Sequence, residues 1–218
     1  MKTLKILVFI FALFSCVLLK AQDPLYPSWT ASETAAANTA AGAGYLTEEE
    51  KRVIYLMNLA RLDGKKFRDT YAKGYFIGPT NSYRQSLYAD LVKIKDLPML
   101  VPVESLCRAA KSHAVETGKQ GTFGHKSENG HRPAERIERF GYGSFTAVAE
   151  NCSYGYPDAL GIVMQLLADD GVPMVGHRKN ILNPRFKAVG VSIQPHKVMR
   201  FTCVQDFGDI MPGEAGTE

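Results

Sequence analysis

Cysteine, tryptophan and long apolar stretches are all scarce in this sequence. Four cysteines and one tryptophan occur in 218 residues. No two cysteines form a C-x-x-C pair, so their spacing does not indicate a structural zinc site. The longest apolar run covers residues 6–19, 14 residues. A membrane-spanning helix needs about 20, so this run does not favour a membrane span.

The apolar run has the features of a secretory signal peptide. Lys2 and Lys5 precede it, and a polar segment follows it. A basic start and a short apolar stretch are typical of export signals. We therefore predict a signal peptide over residues 1–22, with cleavage near Gln22, and a secreted or periplasmic location. A lipoprotein signal at Cys16 and an uncleaved anchor are the alternatives.

The chain has almost no net charge once the signal is removed. The whole chain has 26 basic and 22 acidic residues. Residues 1–22 contain three lysines and no acids, which leaves 23 basic against 22 acidic residues, a net charge of about +1. Nucleic-acid binding depends on a strong excess of positive charge. We therefore expect no nucleic-acid partner, and no transmembrane segment in the mature chain.

Three cysteines remain after removal of the signal: Cys107, Cys152 and Cys203. An odd number allows one disulfide with a free thiol, or three thiols. Free cysteines commonly behave as small buried apolar residues. We expect two or three of them in the core, and the sequence leaves any pairing open.

The mature length of 196 residues suits one well-cored domain. Residues 23–44 are rich in alanine and small polar residues, and residues 30–44 contain no large apolar side chain. This composition predicts a linker or a loosely docked arm, with Trp29 able to dock on the domain. The domain is expected to cover residues 45–218.

Helical patterns dominate the first part of the domain, and strand patterns dominate its end. Thr47 and Glu50 form a capping-box signature that predicts a helix to about Leu62. Further helices are predicted over residues 102–120 and from residue 159, and strands over 147–154, 187–194 and 199–207, with a turn at 195–197. This order predicts an α+β fold, a three-layer αβα sandwich with a central, mainly antiparallel sheet.

Three short segments concentrate the reactive side chains, around His125, Glu150 and His177, with Asp169 and Asp170 shortly before the third. Two histidines with carboxylates suit a divalent-metal site or an acid/base pair. Surface histidines and helix-capping acids are the alternative, and spacing alone leaves the choice open. The sequence has no Gly-x-Ser-x-Gly nucleophile motif.

Five segments in order resemble the motifs of bacterial CAP domains, the cysteine-rich secretory protein, antigen five and pathogenesis-related family, also called SCP domains. They are residues 106–114, 123–125, 136–142, 150–151 and 176–182. The resemblance runs from about residue 47 to 207. It implies an αβα sandwich whose central cleft is lined by two histidines and two acids.

The resemblance assigns metal-site roles to four residues. His125 and His177 match the two family histidines, and Glu150 matches the first acid. Asp170 matches the second acid and shares a helical phase with the apolar stripe of the preceding segment, whereas Asp169 is the weaker candidate. The implied cofactor is a divalent cation, zinc first, with calcium or magnesium as alternatives and no organic cofactor.

The sequence departs from the family pattern beside Asp170. Leu167 stands where plant relatives have a tryptophan, and the acid is an aspartate, one methylene shorter than the family glutamate. Because its side chain is shorter, Asp170 reaches less far toward a metal than the family glutamate does.

Several polar residues near these motifs are expected to support the site. His113 shares the apolar face of its helix and is interpreted as a core histidine or one behind the ligands. Asn151 is expected to fix the strand or orient Glu150, and Arg178 to pair with an acid at the cleft rim. His196 lies in a predicted turn and is expected to be solvated.

The resulting functional prediction is a secreted binding or interaction module rather than an enzyme. Its expected partner is a small apolar ligand, an envelope component or another protein. One alternative is a metal-dependent hydrolase of peptides or cell-wall polymers, because two histidines with carboxylates suit a zinc-bound water. Another is a structural envelope protein. A cleft position for Glu150 also predicts that Glu150→Ala costs little stability.

Overall fold

The computed structural model describes residues 29–141 and 145–209. The predicted signal peptide lies outside these residues, and so do its expected cleavage point near Gln22 and Cys16. The helices of the described part are α1 (Ala31–Ala37), α2 (Glu48–Leu62), α3 (Gly64–Phe67), α4 (Lys73–Tyr75), α5 (Ser82–Leu91), α6 (Glu104–Gln120), α7 (Pro133–Arg139), α8 (Ala159–Ala168) and α9 (Gly176–Ile181). A π-helical turn, Arg68–Ala72, joins α3 to α4. Within the described ranges, no helix has the length and apolar character needed to cross a bilayer.

Four strands form one sheet: β1 (Val101–Pro102), β2 (Val148–Tyr154), β3 (Ala188–His196) and β4 (Arg200–Gly208). Their order is β1-β3-β4-β2, with β1 parallel to β3 and the other pairs antiparallel. Helix α6 packs along β3 and β4, while α2 contacts β3 and α8 contacts β2. The predicted α+β fold with a mainly antiparallel sheet is confirmed.

Strand register decides which site residues face α6. Glu150 of β2 lies opposite Asp206 of β4, and Cys152 lies opposite Val204. Cys152 and Val204 pack with alanines of α6. Because side chains alternate along a strand, Glu150 and Asp206 also face α6, and Asn151 faces the other layer.

Helix α6 approaches the sheet very closely at Gly190. A Cβ atom at this position would lie 2.1 Å from the backbone carbon of Leu106. No side chain fits in such a gap, so glycine is required here. Farther along the same helix, His113 Nε2 lies 3.9 Å from Oε1 of Glu150 on β2.

The described part of the segment expected as a linker or arm lies against the domain. Residues 31–37 form α1, and Trp29 and Ala37 are buried. The Trp29 Nε1–H donates to Thr70 Oγ1 at 3.1 Å, and the buried Asn58 amide donates to the Ala37 carbonyl at 3.0 Å. Small alanine side chains allow α1 to lie directly on α2.

The three described cysteines are free thiols, and all of them are buried: Cys107, Cys152 and Cys203. The expectation that two or three would fill the core is confirmed, and no disulfide links them. Burial raises the pKa of the Cys107 thiol to about 12.

The β3–β4 hairpin turns later than predicted. Pro195 and His196 belong to β3, and the connection is Lys197, Val198 and Met199. His196 is buried rather than solvated. Its ring accepts backbone N–H groups of the turn and contacts the loop after α6, which accounts for the extra length of the strand.

Candidate functional site

His125 lies in the loop between α6 and α7 and is held by Glu150. Its Nδ1 is 2.8 Å from Glu150 Oε1, and its side chain is half-exposed. The Nε2 atom has no hydrogen-bond partner among the described residues. A carboxylate on one ring nitrogen fixes the tautomer and leaves the other nitrogen as a free electron-pair donor.

Glu150 is a buried acid with two positively charged or hydrogen-donating neighbours. The Arg136 guanidinium of α7 contacts Oε2, while His125 occupies Oε1. Arg136 also donates to Ser127 Oγ at 3.0 Å. Burial alone would raise the pKa of Glu150, but the His125 hydrogen bond and the Arg136 charge hold it below its usual value. Glu150 is therefore an anchored anion.

A second buried acid, Asp206, stands beside Glu150 and was missed by the sequence analysis. It is fully buried, and neither carboxyl oxygen has a hydrogen-bond partner in the described structure. Burial and the adjacent charge of Glu150 raise the pKa of Asp206 well above its usual value. The available signal was its position in a predicted strand, but its pairing with Glu150 required the register.

His113 and Cys152 lie below Glu150, toward α6. His113 Nε2 is 2.9 Å from the Gly124 carbonyl and 3.9 Å from Glu150 Oε1, and the Cys152 thiol is 3.7 Å from the same oxygen. Burial lowers the pKa of His113 and raises that of Cys152. Ligand atoms of His113, Glu150 and Cys152 all lie within 4.8 Å of one another, so this buried group could hold a metal ion.

His177 at the start of α9 is held by Asp169. Asp169 is buried, and its Oδ1 is 2.6 Å from His177 Nδ1. Its Oδ2 accepts the backbone N–H of His177 at 2.9 Å. His177 Nε2 has no hydrogen-bond partner in the part of the chain that is described. The His177–Asp169 pair therefore repeats the arrangement of His125 and Glu150.

The acid beside His177 is Asp169, and not the expected Asp170. Helix α8 ends at Ala168, and Asp169 has a left-handed φ of 57°. Helical phase therefore cannot be extended to residue 170. The Asp170 carboxylate is exposed instead and contacts Asn81 at 3.2 Å and Arg84 at 3.5 Å.

Asn151 and Arg178 anchor α9 in different ways. The Asn151 amide donates to the His177 carbonyl at 3.2 Å, and its oxygen accepts from Asn180 at 2.9 Å. Arg178 is buried and not at the cleft rim. Its guanidinium donates to carbonyls at the end of α8 and pairs with Asp90 at 3.0 Å. Both residues position His177, since they hold the helix on which it lies.

A cleft of about 550 Å³ lies beside the His177–Asp169 pair. His177, Asp169, Gln165 and Cys152 all line it. Cys152 Sγ is also 3.6 Å from His125 Nδ1. Cys152 therefore contacts the His125–Glu150 pair and also lines the cleft of the His177–Asp169 pair.

Chemically, the site offers two imidazole Nε2 atoms whose rings are fixed by carboxylates, one on His177 in the cleft and one on His125 beside Cys152. Such carboxylate–histidine pairs are typical of the shell behind metal-ligating histidines. Nitrogen donors suit zinc and other transition metals better than calcium or magnesium. The two acids already accept hydrogen bonds from the rings, so they act on the histidines rather than as free bases.

Comparison with known families gives one match. The model for the cysteine-rich secretory protein family (CAP) matches residues 77–207, more than half of the chain. Comparison with curated proteins gives no match.

Several solved structures resemble the chain at low identity. An extracellular SCP-domain protein from Bacillus anthracis aligns at 22% identity over 66% of this chain and 50% of its own length, with a TM-score of 0.44. An outer surface protein from Borrelia burgdorferi aligns at 21% over 61% and 96%, with a TM-score of 0.45. A venom allergen-like protein from Schistosoma mansoni aligns at 17% over 79% and 98%, with a TM-score of 0.47. The chain thus spans half the length of the Bacillus protein.

Proposed function

Because the chain belongs to the cysteine-rich secretory protein (CAP) family, we propose that it is an exported binding protein whose cleft holds a divalent cation. Zinc is the first candidate, bound by Nε2 of His125 and of His177. The cation would anchor a ligand at its remaining positions, and the expected ligand classes are a small apolar molecule, an envelope component or a protein partner.

The observation that carries this proposal is the matched pairing of histidine with buried acid. Nδ1 lies 2.8 Å from Glu150 in His125 and 2.6 Å from Asp169 in His177. Each pairing fixes the ring and increases the basicity of the opposite nitrogen. Two histidines prepared in this way suit a cation better than they suit solvent.

The residues present fit zinc as a partial ligand set. Zinc accepts imidazole nitrogen readily and is usually four-coordinate. Two protein ligands leave positions for water or a bound molecule. Calcium and magnesium prefer oxygen ligands, and the nearest carboxylates are already engaged by the histidine rings. We therefore place calcium and magnesium behind zinc.

The buried group of His113, Glu150 and Cys152 is a weaker candidate for the same ion. Arg136 contacts Glu150 and repels an approaching cation. Burial raises the pKa of the Cys152 thiol, so a metal at this group would have to displace the thiol proton. His113 Nε2 already contacts the Gly124 carbonyl. These three features favour the Nε2 atoms of His125 and His177 over the buried group as the cation site.

We favour binding over hydrolysis for a related reason. A zinc hydrolase needs a free general base near the metal-bound water. Glu150 and Asp169 both hold histidine rings, and Glu150 also contacts Arg136. Peptidase and cell-wall hydrolase assays on the zinc-loaded protein are expected to give no turnover that depends on His125 or His177.

Zinc binding is tested by equilibrium dialysis of the parent, the His125→Gln/His177→Gln double variant and a Cys152→Ser variant. The parent and Cys152→Ser should each bind roughly one zinc ion per chain, and the double variant should lose it. His131→Gln is the matched control, because His131 lies partly exposed in the same loop as His125. Loss of zinc in Cys152→Ser with retention in the double variant would contradict the proposal.

Export is tested separately by intact-mass measurement of protein recovered from the cell exterior. A mature chain starting near residue 23 is expected. A form that keeps residues 1–15 would contradict the signal-peptide prediction, and a lipid-modified Cys16 would favour the lipoprotein alternative.

A further inference from the structure

We propose that the end of the β3–β4 hairpin and the adjoining loop after α6 form a docking surface for membranes rich in anionic phospholipid. We call the three exposed apolar residues Phe123, Val198 and Met199 the tip patch. His125 of the cation site proposed above lies in the same loop, between Phe123 and Lys126, but neither histidine of that site contributes to the tip patch.

The tip patch concentrates large apolar side chains in water. Phe123, Val198 and Met199 are 55%, 61% and 38% exposed. The two segments adjoin, because a Cβ atom at Gly121 would lie 2.9 Å from the Val198 side chain. A contiguous group of exposed apolar side chains marks an interaction site more often than a scattered one does.

A rigid frame holds the tip patch outward. The buried His196 ring is 3.0 Å from the Thr122 carbonyl through Nε2. Its Nδ1 accepts the backbone N–H groups of Val198 at 3.2 Å and Met199 at 3.0 Å. The Phe123 ring packs 5.1 Å from the ring of His196, centroid to centroid. The apolar side chains are thus exposed on an ordered support, so their exposure is a built feature.

Positive charge surrounds the tip patch. Lys119, Lys126, Lys197 and Arg200 are all exposed. Residues 119–126 and 196–200 contain no aspartate or glutamate. One carboxylate, that of Glu128, reaches the first segment at Gln120, and the four cations outnumber it. This local excess contrasts with the nearly neutral balance predicted for the mature chain.

The backbone at Arg200 gives a second indication that charge matters here. Arg200 has a φ of +70°, in the left-handed region where glycine is favoured. Hairpins with three-residue loops commonly place glycine at such a position. An arginine in a conformation that suits glycine is consistent with a function for its side chain.

The combination of apolar and basic residues selects the partner. Apolar side chains can enter the boundary between headgroups and acyl chains, while lysine and arginine contact the phosphate groups of anionic lipids. A neutral apolar ligand would not require the cations, and a polyanion in solution would not require the apolar residues. An anionic bilayer surface uses both.

The test is co-sedimentation of the processed protein, as recovered from the producing cells, with lipid vesicles in the presence of a metal chelator. Vesicles of phosphatidylcholine with phosphatidylglycerol are compared with phosphatidylcholine alone. The parent should bind the anionic vesicles preferentially, and added salt should weaken the binding. The Lys197→Gln/Val198→Ser variant should bind them roughly fivefold more weakly or worse, as expected for the loss of one interfacial cation together with an apolar contact.

Two further variants separate a loss of binding from a loss of folding. Val92→Ser/Lys93→Gln is the matched control, because Val92 is exposed and Lys93 is basic on a different surface. Arg200→Gly removes a charge and relieves the backbone, so it should unfold at the same or a higher temperature than the parent while binding the anionic vesicles roughly fivefold more weakly.

Several results would overturn the proposal. They are equal binding of the parent to both vesicle types, no binding to either, or equal losses in the hairpin and control variants. Because the chelator removes zinc, failure of the cation-site proposal would leave these outcomes unchanged.

Discussion

The two histidine–acid pairs reach the same geometry by different physical means. On the α6 side, His125 depends on Glu150, which is buried with Arg136 and Asp206 around it. On the α9 side, His177 depends on Asp169, whose carboxylate also accepts the backbone N–H of His177 itself. One half is an ionic cluster between layers, and the other is a local helix-start contact.

This difference predicts unequal sensitivity. A buried ionic cluster depends on every partner, because removal of one leaves an uncompensated charge away from water. A helix-start contact is local and part-exposed, so its loss is partly repaired by solvent. Substitutions on the α6 side should therefore cost more stability than equivalent substitutions on the α9 side.

The largest expected effect is that of Arg136→Met, which leaves the buried Glu150 carboxylate without its guanidinium partner. We expect a loss of about 3–5 kcal/mol in the free energy of unfolding, measured by denaturant titration. The Arg136→Met/Glu150→Gln double variant should lose less than the single variant, because the unpaired charge is gone. A loss below about 1 kcal/mol for Arg136→Met would mean that Glu150 is not an anchored anion.

The burial of Glu150 also changes an expectation drawn from the sequence. A cleft position predicts little cost for Glu150→Ala, but the side chain is buried against Arg136 and Asp206. The substitution would leave the Arg136 charge unpaired. We now expect Glu150→Ala to destabilise the protein to an extent similar to Arg136→Met.

A smaller effect is expected for Asp169→Ala, because it removes the hydrogen bonds to the His177 ring and backbone. The free energy of unfolding should fall by about 1.5–3 kcal/mol, and amide exchange at His177 should accelerate. Asp170→Ala is the matched control and should change stability by no more than about 0.5 kcal/mol. Equal losses in the two variants would show that Asp169 does not hold α9.

The smallest effect is a pH-dependent gain from Asp206→Asn. The ordinary pKa of aspartate is 3.8, and the folded value of Asp206 lies well above it. As pH rises past 3.8, the unfolded chain releases this proton while the folded chain keeps it, so the parent loses stability. An asparagine has no proton to release.

The stability of Asp206→Asn relative to the parent should therefore increase as pH rises from about 3 to about 7, by more than about 1 kcal/mol at the upper end. Thermal unfolding across this pH range measures the difference. If the stability of the variant relative to the parent fell with rising pH, Asp206 would be ionised in the folded protein.

Much of the fold could be predicted because its elements carry local signals. The Thr47 capping box is present, and the three long strands follow their predicted patterns. The packing of residues 29–44 could not be predicted, since alanines carry no helical stripe of large apolar residues. The hairpin turn was misplaced because the bonds of His196 to the turn and to the loop are tertiary contacts.

The site could be predicted in part for the same reason. His125, Glu150 and His177 stand in motifs that the family resemblance identifies, and each histidine is paired with an acid. Asp169 rather than Asp170 holds the His177 ring, because α8 ends at a left-handed residue that helical phase does not foresee. Asp170 lines the same cleft as His177, and its role as a metal ligand stays a prediction. Asp206 and Arg136 depend on strand register and on the packing of α7, which no local pattern specifies.

The central claim is that His125 and His177 share a cation through their Nε2 atoms. The most direct measurement is anomalous diffraction at the zinc edge from crystals of the protein grown or soaked with zinc. The account predicts a peak about 2.0–2.1 Å from both Nε2 atoms. A peak among His113, Glu150 and Cys152 instead, or a peak on neither histidine, would contradict it.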